Sequence, residues 1–329
     1  MVDVMSEDLY EKSSAAKKLT DDGSDGQKRP PGGDDPFRLV GAGYKIHTPQ
    51  VKKLSFRQRL KGFPIISLIV LAAIIMGCIL APLLANHDPA GFYIQHSNEP
   101  PGGEFLLGTD SLGRDMYSMI WYGGRVSILI GIMGAAIIAV IGTIYGSIAG
   151  TSSSRVDSVM MRITEMSGSI PSILLVLILS AVIPGSNIVT LAVIIGVTGW
   201  FGLARIVRSE VRQIRNSDYV LYARSCGGKF LYIFKTHLLP NFIPAIMFVV
   251  VSAVGSTITT ESSLSFLGLG LPVDVISWGS MLSLANKALV MNTWWVIIVP
   301  GAFLIATLTC ITNIANYYRK ENNKSPSNL

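Results

Sequence analysis

Lys229 stands directly after Gly228, as in a phosphate-binding loop. Phe230 then occupies the position where such a loop needs Ser or Thr for magnesium. Cys78, Cys226 and Cys310 have no CxxC or Cys/His spacing, so neither a disulfide framework nor a zinc site is indicated. His47, His87, His96 and His237 are isolated from one another and read as loop or interfacial residues. No serine stands in a nucleophile elbow. Glu165 and Glu261 sit at the edges of apolar segments, whereas proton or ion relays use acids within them. The residue types that do chemistry are present but not arranged to do it, so energy must reach this chain from elsewhere.

A polar, basic stretch at 218–241 (DYVLYARSCGGKFLYIFKTHLLPN) is the candidate entry point, because long apolar segments flank it on both sides. Tyr219, Tyr222, Ala223 and Cys226 fall at i, i+3, i+4 and i+7 and share one helical face. Gly227 and Gly228 break that helix. Phe230, Ile233, Phe234, His237 and Leu238 then repeat the spacing on a second helix. Such a two-helix knob is either a docking surface or a connector packed on its own bundle.

The elements that carry the knob are set by hydropathy. Half of the 329 residues are hydrophobic and 15% are charged, with a mean hydropathy of +0.47. That is too apolar for one water-soluble core and fits a polytopic membrane protein. A span needs about twenty mostly apolar residues. Six segments qualify: 64–84, 126–149, 169–183, 188–207, 241–260 and 293–315. Alternating ten-residue patterns are lacking, so the expected fold is all-α, a six-helix membrane bundle rather than a barrel. The formal net charge is +6, but the bases lie beside apolar spans, so they mark membrane orientation rather than nucleic acid binding. Arg and Lys gather before the first span, between the second and third, between the fourth and fifth, and after the last. Both termini and the knob are therefore expected in the cytoplasm.

The remaining organisation follows. Residues 1–50 are rich in Asp, Gly, Lys, Pro and Ser and are expected to be a disordered tail. Residues 51–62 form an expected amphipathic helix on the inner leaflet. The first apolar run starts only near Phe63, so no cleavable signal peptide is expected. Residues 63–84 are the first span and 85–125 an external loop. Residues 126–318 hold the other spans, with the cytoplasmic loop at 208–240 between them, and 319–329 end the chain. In the external loop Gly108, Asp110, Gly113 and Asp115 suggest a tight, capped turn before a short helix. Arg125 either attracts a carboxylate or snorkels to the interface, and the second reading is preferred. Gly142, Gly146 and Gly150 have the small-xxx-small spacing of close helix packing.

Three blocks carry a family resemblance. Residues 107–115 (LGTDSLGRD) with 122–127 (YGGRVS) resemble the LGTDxxGRD…YGxRxS run of type I ABC importer permeases. The knob is similar to their EAA loop, EAA-x3-G-x9-I-x-L-P, laid from Leu221 through Gly227 to Leu239 and Pro240. Residues 264–270 (LSFLGLG), with Trp278 and Gly279, resemble the SFLGLG…SWG turn. The likeness runs from about residue 55 to 318 and points to the second permease of the oligopeptide and dipeptide systems. The chain departs from the pattern in three places. Leu221-Tyr222-Ala223 stand where the family has Glu-Ala-Ala, His237 stands for the isoleucine, and Ala315-Asn316 replace a Gly-Asp.

The resemblance implies a non-catalytic translocation subunit in a bacterial-type cell membrane, powered by two cytoplasmic ATP-binding subunits. ATP and magnesium would be bound by those partners, with no cofactor or metal in this chain. A second homologous permease would complete the pathway, surrounded by membrane lipid. An external substrate-binding protein would deliver the cargo, for which Asp110, Gly113, Arg114 and Asp115 are candidate docking residues. In the knob, Asp218 and Arg224 would make polar contacts to the ATPase, Tyr219, Tyr222 and Ala223 would be anchors, and Gly227 the hinge. The implied cargo is peptide. Nickel or a metal-chelating opine through the same architecture is the first alternative, an ion-coupled carrier the second and a membrane enzyme the third.

Overall fold

The computed structural model describes residues 63–183, 187–272 and 274–324. The expected tail at 1–50, the expected amphipathic helix at 51–62 and the last residues of the C-terminal tail lie outside them. Among the described residues there is no β-strand, only the isolated bridges Gly102 to Phe105 and Thr109 to Asp115. The secondary structure is helical, as hydropathy requires.

Three helices are long and apolar enough to cross a membrane alone. Helix α3 (Met116–Thr151) is the axis of the bundle. Against it pack α10 (Leu239–Phe266), which continues a π turn at Phe234–Leu238, and then α13 (Trp295–Lys324). Two bent helix pairs are long and apolar enough only when their members are taken together. Helix α4 (Ser154–Gly168) turns by 82° into α5 (Ser172–Val182), and α6 (Ile188–Gly199) turns by 48° into α7 (Phe201–Arg215). Helix α4 carries Arg155, Asp157, Arg162 and Glu165 and lies outside the apolar segments. If each bent pair is one span, five spans result. The sixth expected segment, 64–84, divides at Leu80 into α1 (Ile65–Ile79) and α2 (Ala81–Leu84), with Pro82 in the first turn of α2. At 1.5 Å per residue α1 is about 22 Å long, short of a hydrocarbon core of about 30 Å.

The glycine stripe does what its spacing predicts. A Cβ on Gly142 would stand 2.9 Å from that of Leu203, one on Gly146 2.5 Å from the Ala204 carbonyl, and one on Gly150 2.8 Å from Val211. Helix α7 therefore lies against α3 at backbone distance, as small residues permit. Arg215 fixes the far end by donating from Nη1 to the Gly150, Thr151 and Ser152 carbonyls, which α3 leaves without helical partners. Asp157 joins α4 to the same helix: Arg208 donates to both carboxylate oxygens, and Arg212 approaches at 3.3 Å.

The short helices stand at the two ends. Helices α8 (Asp218–Ser225) and α9 (Phe230–Ile233) form the knob. Helices α11 (Trp278–Leu282) and α12 (Ala285–Val290) lie in the connection from α10 to α13.

Candidate functional site

The knob is a hairpin whose inner face belongs to the bundle. Val220, Ile233 and Leu238 are buried with Leu203, Val207, Val211, Ile214 and Phe242 in one hydrophobic cluster. Helix α8 ends on Cys226, followed by Gly227 at φ +79°. Gly227 N–H donates to the Arg224 carbonyl and Gly228 N–H to that of Ala223, both at 3.0 Å. This is a complete Schellman closure, which needs a left-handed residue where Gly227 stands. Gly228 is required for a different reason: its Cβ would lie 2.7 Å from the Ala223 carbonyl oxygen.

The outer face of the knob is open. Tyr219 is 42% and Tyr222 74% exposed, large aromatics that their own chain leaves uncovered. They line a cavity of about 630 Å³ with Asp218, Ala223, Cys226, Tyr232 and His237. The His237 ring lies 6.0 Å from that of Tyr219 and 5.9 Å from that of Tyr232, so it bridges the two arms of the hairpin. Of the residues expected to act here, the structure gathers Asp218, Tyr219, Tyr222 and Ala223 around one cavity. Arg224 is exposed but outside that lining, and Gly227 is the hinge. Tyr232 and His237 were not among the expected contacts. In the sequence His237 stands on the spaced face of the second helix, at the position of the usual isoleucine, but its ring contacts were not expected.

At the other end, the external loop is a folded cap. Asp110 is fully buried and accepts Leu112 N–H at 2.8 Å, Arg114 N–H at 2.9 Å and Arg114 Nε at 2.7 Å. Gly113, at φ +73°, has room for no side chain, because a Cβ would meet the Tyr93 carbonyl. Asp115 is the N-cap of α3, accepting Tyr117 N–H at 3.2 Å and Ser118 N–H at 3.0 Å. The helix it caps has 36 residues, where a short helix was expected. Trp295 Nε1 donates to the Thr109 carbonyl at 3.0 Å and ties the cap to α13. Asp110, Gly113, Arg114 and Asp115 thus form one turn, their polar groups engaged within it.

Arg125 donates from Nε to the Cys78 carbonyl at 2.6 Å and from Nη2 to that of Ile79 at 2.8 Å, while the guanidinium lies over Tyr122. It therefore satisfies the C-terminal carbonyls of α1.

Glu261 is the residue that sequence reasoning underrated. It falls five residues before the end of α10, and its side chain has no solvent exposure. Ser265 and Ser277 donate to Oε1 at 2.9 and 2.7 Å, and Ser127 and Ser262 to Oε2 at 3.2 Å each. Ser127 accepts from Trp278 N–H, and Ser277 from Ser280 N–H as the N-cap of α11. One carboxyl group joins α3, α10 and α11 through hydroxyls that each relay a backbone donor. The serines around Glu261 were the available signal. Their spacing within 261–265 was visible, but the partners at Ser127 and Ser277 are far away in the chain.

Fold and site together define a helical membrane permease subunit with a folded cap at one end and an open hairpin groove at the other. Residues 142–320 match the family described as binding-protein-dependent transport system inner membrane component, and the chain belongs to that family. It is 39% identical over 241 residues to the dipeptide transport system permease protein DppC of Bacillus subtilis (strain 168), covering 73% of this chain and 75% of that one. The oligopeptide transport system permease protein OppC of the same organism is 35% identical over 257 residues, covering 78% and 84%. OppC of Haemophilus influenzae is 36% identical over 255 residues, covering 77% and 81%. The chain is a multi-pass protein of the bacterial plasma membrane.

Proposed function

We propose that this chain is one of two permease subunits of an ATP-driven importer of dipeptides or oligopeptides. Cytoplasmic ATPase subunits would drive it through the 218–241 hairpin, with both chain termini in the cytoplasm. The open hairpin groove carries the coupling part of this reading. Tyr219 and Tyr222 are aromatic anchors without cover, on a helix whose other face is locked into the core by Val220. Aromatic side chains bring large contact area at low entropic cost, and a hairpin rooted in α7 and α10 can transmit what is done to it. Asp218 and Arg224 flank the anchors as polar contacts. The cargo reading is supported by likeness to the dipeptide and oligopeptide permeases.

The cap is the proposed receiving surface for a substrate-binding protein. Asp110, Gly113, Arg114 and Asp115 set its shape from within, and the exposed side chains of Phe92, Ile94 and Leu112 supply contact area. ATP and magnesium belong to the partners in this scheme, and the chain itself does no bond-making.

Reconstitution tests the scheme. Vesicles holding the full assembly should accumulate labelled peptide only with ATP and the external receptor present. Uptake by this chain alone, without ATP, would defeat the reading. Tyr219→Ala should leave the assembly's ATPase subunits folded while uptake per ATP hydrolysed falls; unchanged coupling would count against the groove as the docking surface.

A further inference from the structure

A second cavity, of about 610 Å³, lies where both broken helix pairs turn, at 168–172 and 199–202, against one face of α10. Unwound backbone at membrane depth is tolerated where it lines a cavity or is buried in protein, and broken helices in transporters mark the places where substrate passes. The wall from α10 is hydroxylic: Ser252, Ser256, Thr257 and Thr260 line it, with Thr198 opposite. Ser252 and Ser256 are exposed on the face of α10 that lines the cavity. Thr257 is 1% exposed, and its hydroxyl has no hydrogen-bond partner among the described residues. Its side chain packs on Gly134 of α3, so the hydroxyls the wall presents to the cavity are those of Ser252 and Ser256.

Gly202 is the second, independent sign. It lies inside α7, lines the cavity and has no positive φ. A Cβ built on it would meet nothing within 4 Å. Glycine weakens a helix, and here neither backbone geometry nor a close neighbour requires it. It keeps the cavity open. Arg205 is the one charged side chain among the described lining residues, and no carboxylate, imidazole or thiol stands with it. That lining suits no bare metal ion, which would need such ligands. It suits a chain of amide N–H and C=O groups whose side chains vary.

We propose that this cavity is the part of the translocation pathway contributed by this chain, and that the exposed Ser252 and Ser256 hydroxyls grip the main chain of the passing peptide. The proposal rests on the peptide-import reading above and adds where and how the cargo is held. Contacts to the main chain read no side chain, so one cavity serves peptides of many sequences.

The test uses the complete assembly in proteoliposomes, with its receptor and ATPases, and a labelled oligopeptide. Gly202→Leu starts from a Cβ with open space around it, projects into the cavity, and should abolish uptake while receptor-stimulated ATP hydrolysis persists. Gly301→Leu, at a glycine of α13 equally free of neighbours but outside the cavity, should import as wild type does. Ser252→Ala should slow uptake with no loss of thermal stability, since its exposed hydroxyl has no hydrogen-bond partner among the described residues. A wild-type assembly that imports no peptide sinks the functional reading and this inference with it. A wild type that imports while Gly202→Leu imports equally well overturns this inference alone. Should Gly202→Leu fail to assemble, Ser256→Cys in a chain without its native cysteines decides. Labelling by a water-soluble maleimide that the peptide slows supports the pathway. Labelling that only lipid-soluble reagents achieve, or that peptide leaves unchanged, overturns it.

Discussion

Removing the carboxyl group of Glu261 would leave four serine hydroxyls without their common acceptor in a fully buried position. Each stranded group costs about 1–3 kcal/mol. Glu261→Ala should therefore lower stability by about 3 kcal/mol or more, and thermal unfolding of the purified chain in detergent would show it. Glu261→Gln keeps one carbonyl acceptor and should lose distinctly less. A wild-type melting temperature for the alanine variant would refute the hub. Asp157 makes the complementary case outside the spans. The hydrogen bonds from Arg208 hold its carboxyl below the ordinary carboxylate range, against the opposing effect of burial. A depressed folded value gives stability that is present above the unfolded pKa of about 4 and lost as pH falls through the folded value. The wild-type advantage over Asp157→Asn should be flat from neutral pH down to about 5 and shrink below about 4. An advantage that grows with acidity would contradict the pairing. Neither residue was legible beforehand, because the partners of Glu261 and Asp157 are set by tertiary contact between α10 and α3 and between α4 and α7.

Among the elements, hydropathy and glycine spacing were readable, and bends were not. The cores of α3, α10 and α13 match apolar segments seen in the sequence, since an uninterrupted apolar run has one helical solution in lipid. The stripe at Gly142, Gly146 and Gly150 predicted close helix packing by its spacing, and α7 is the helix that takes the place. The turn between α6 and α7 falls at Trp200, where the sequence has only Gly199 and Gly202 to mark it, and the bend before α5 has Pro171. A glycine or proline permits a bend but does not choose one. Packing against α3 and α10 makes that choice. The hairpin was legible because Gly227 and Gly228 follow a helix-spaced aromatic face, the sequence form of a left-handed helix stop. Gly227→Ala adds no clash, because nothing lies within 4 Å of the new Cβ. It does force φ +79° on a chiral residue, at about 1–2 kcal/mol. We expect a loosened α8 end, normal expression and assembly, and fewer peptides imported per ATP. Full coupling in this variant would show that the closure after Cys226 is dispensable.

For the whole molecule, the chain carries its own reporter of which end faces which compartment. Cys78 and Cys310 are buried, while Cys226 is exposed on the outer face of the hairpin. The excess of Arg and Lys in the loops on the hairpin side predicts that this end is cytoplasmic. A membrane-impermeant maleimide should then label Cys226 in inverted vesicles and spare it in intact cells. Leu112→Cys, at an exposed position of the cap, should give the reverse pattern. Because Cys226 lines the same cavity as Tyr219 and Tyr222, a bound ATPase should slow its labelling in inverted vesicles, and stripping the ATPase should restore it. Labelling of Cys226 from outside would invert the molecule. The aromatic groove would then face the compartment without ATP, and the arginines of α7 would lie on the wrong side for the charge rule. No nucleotide-driven partner could then reach the hairpin.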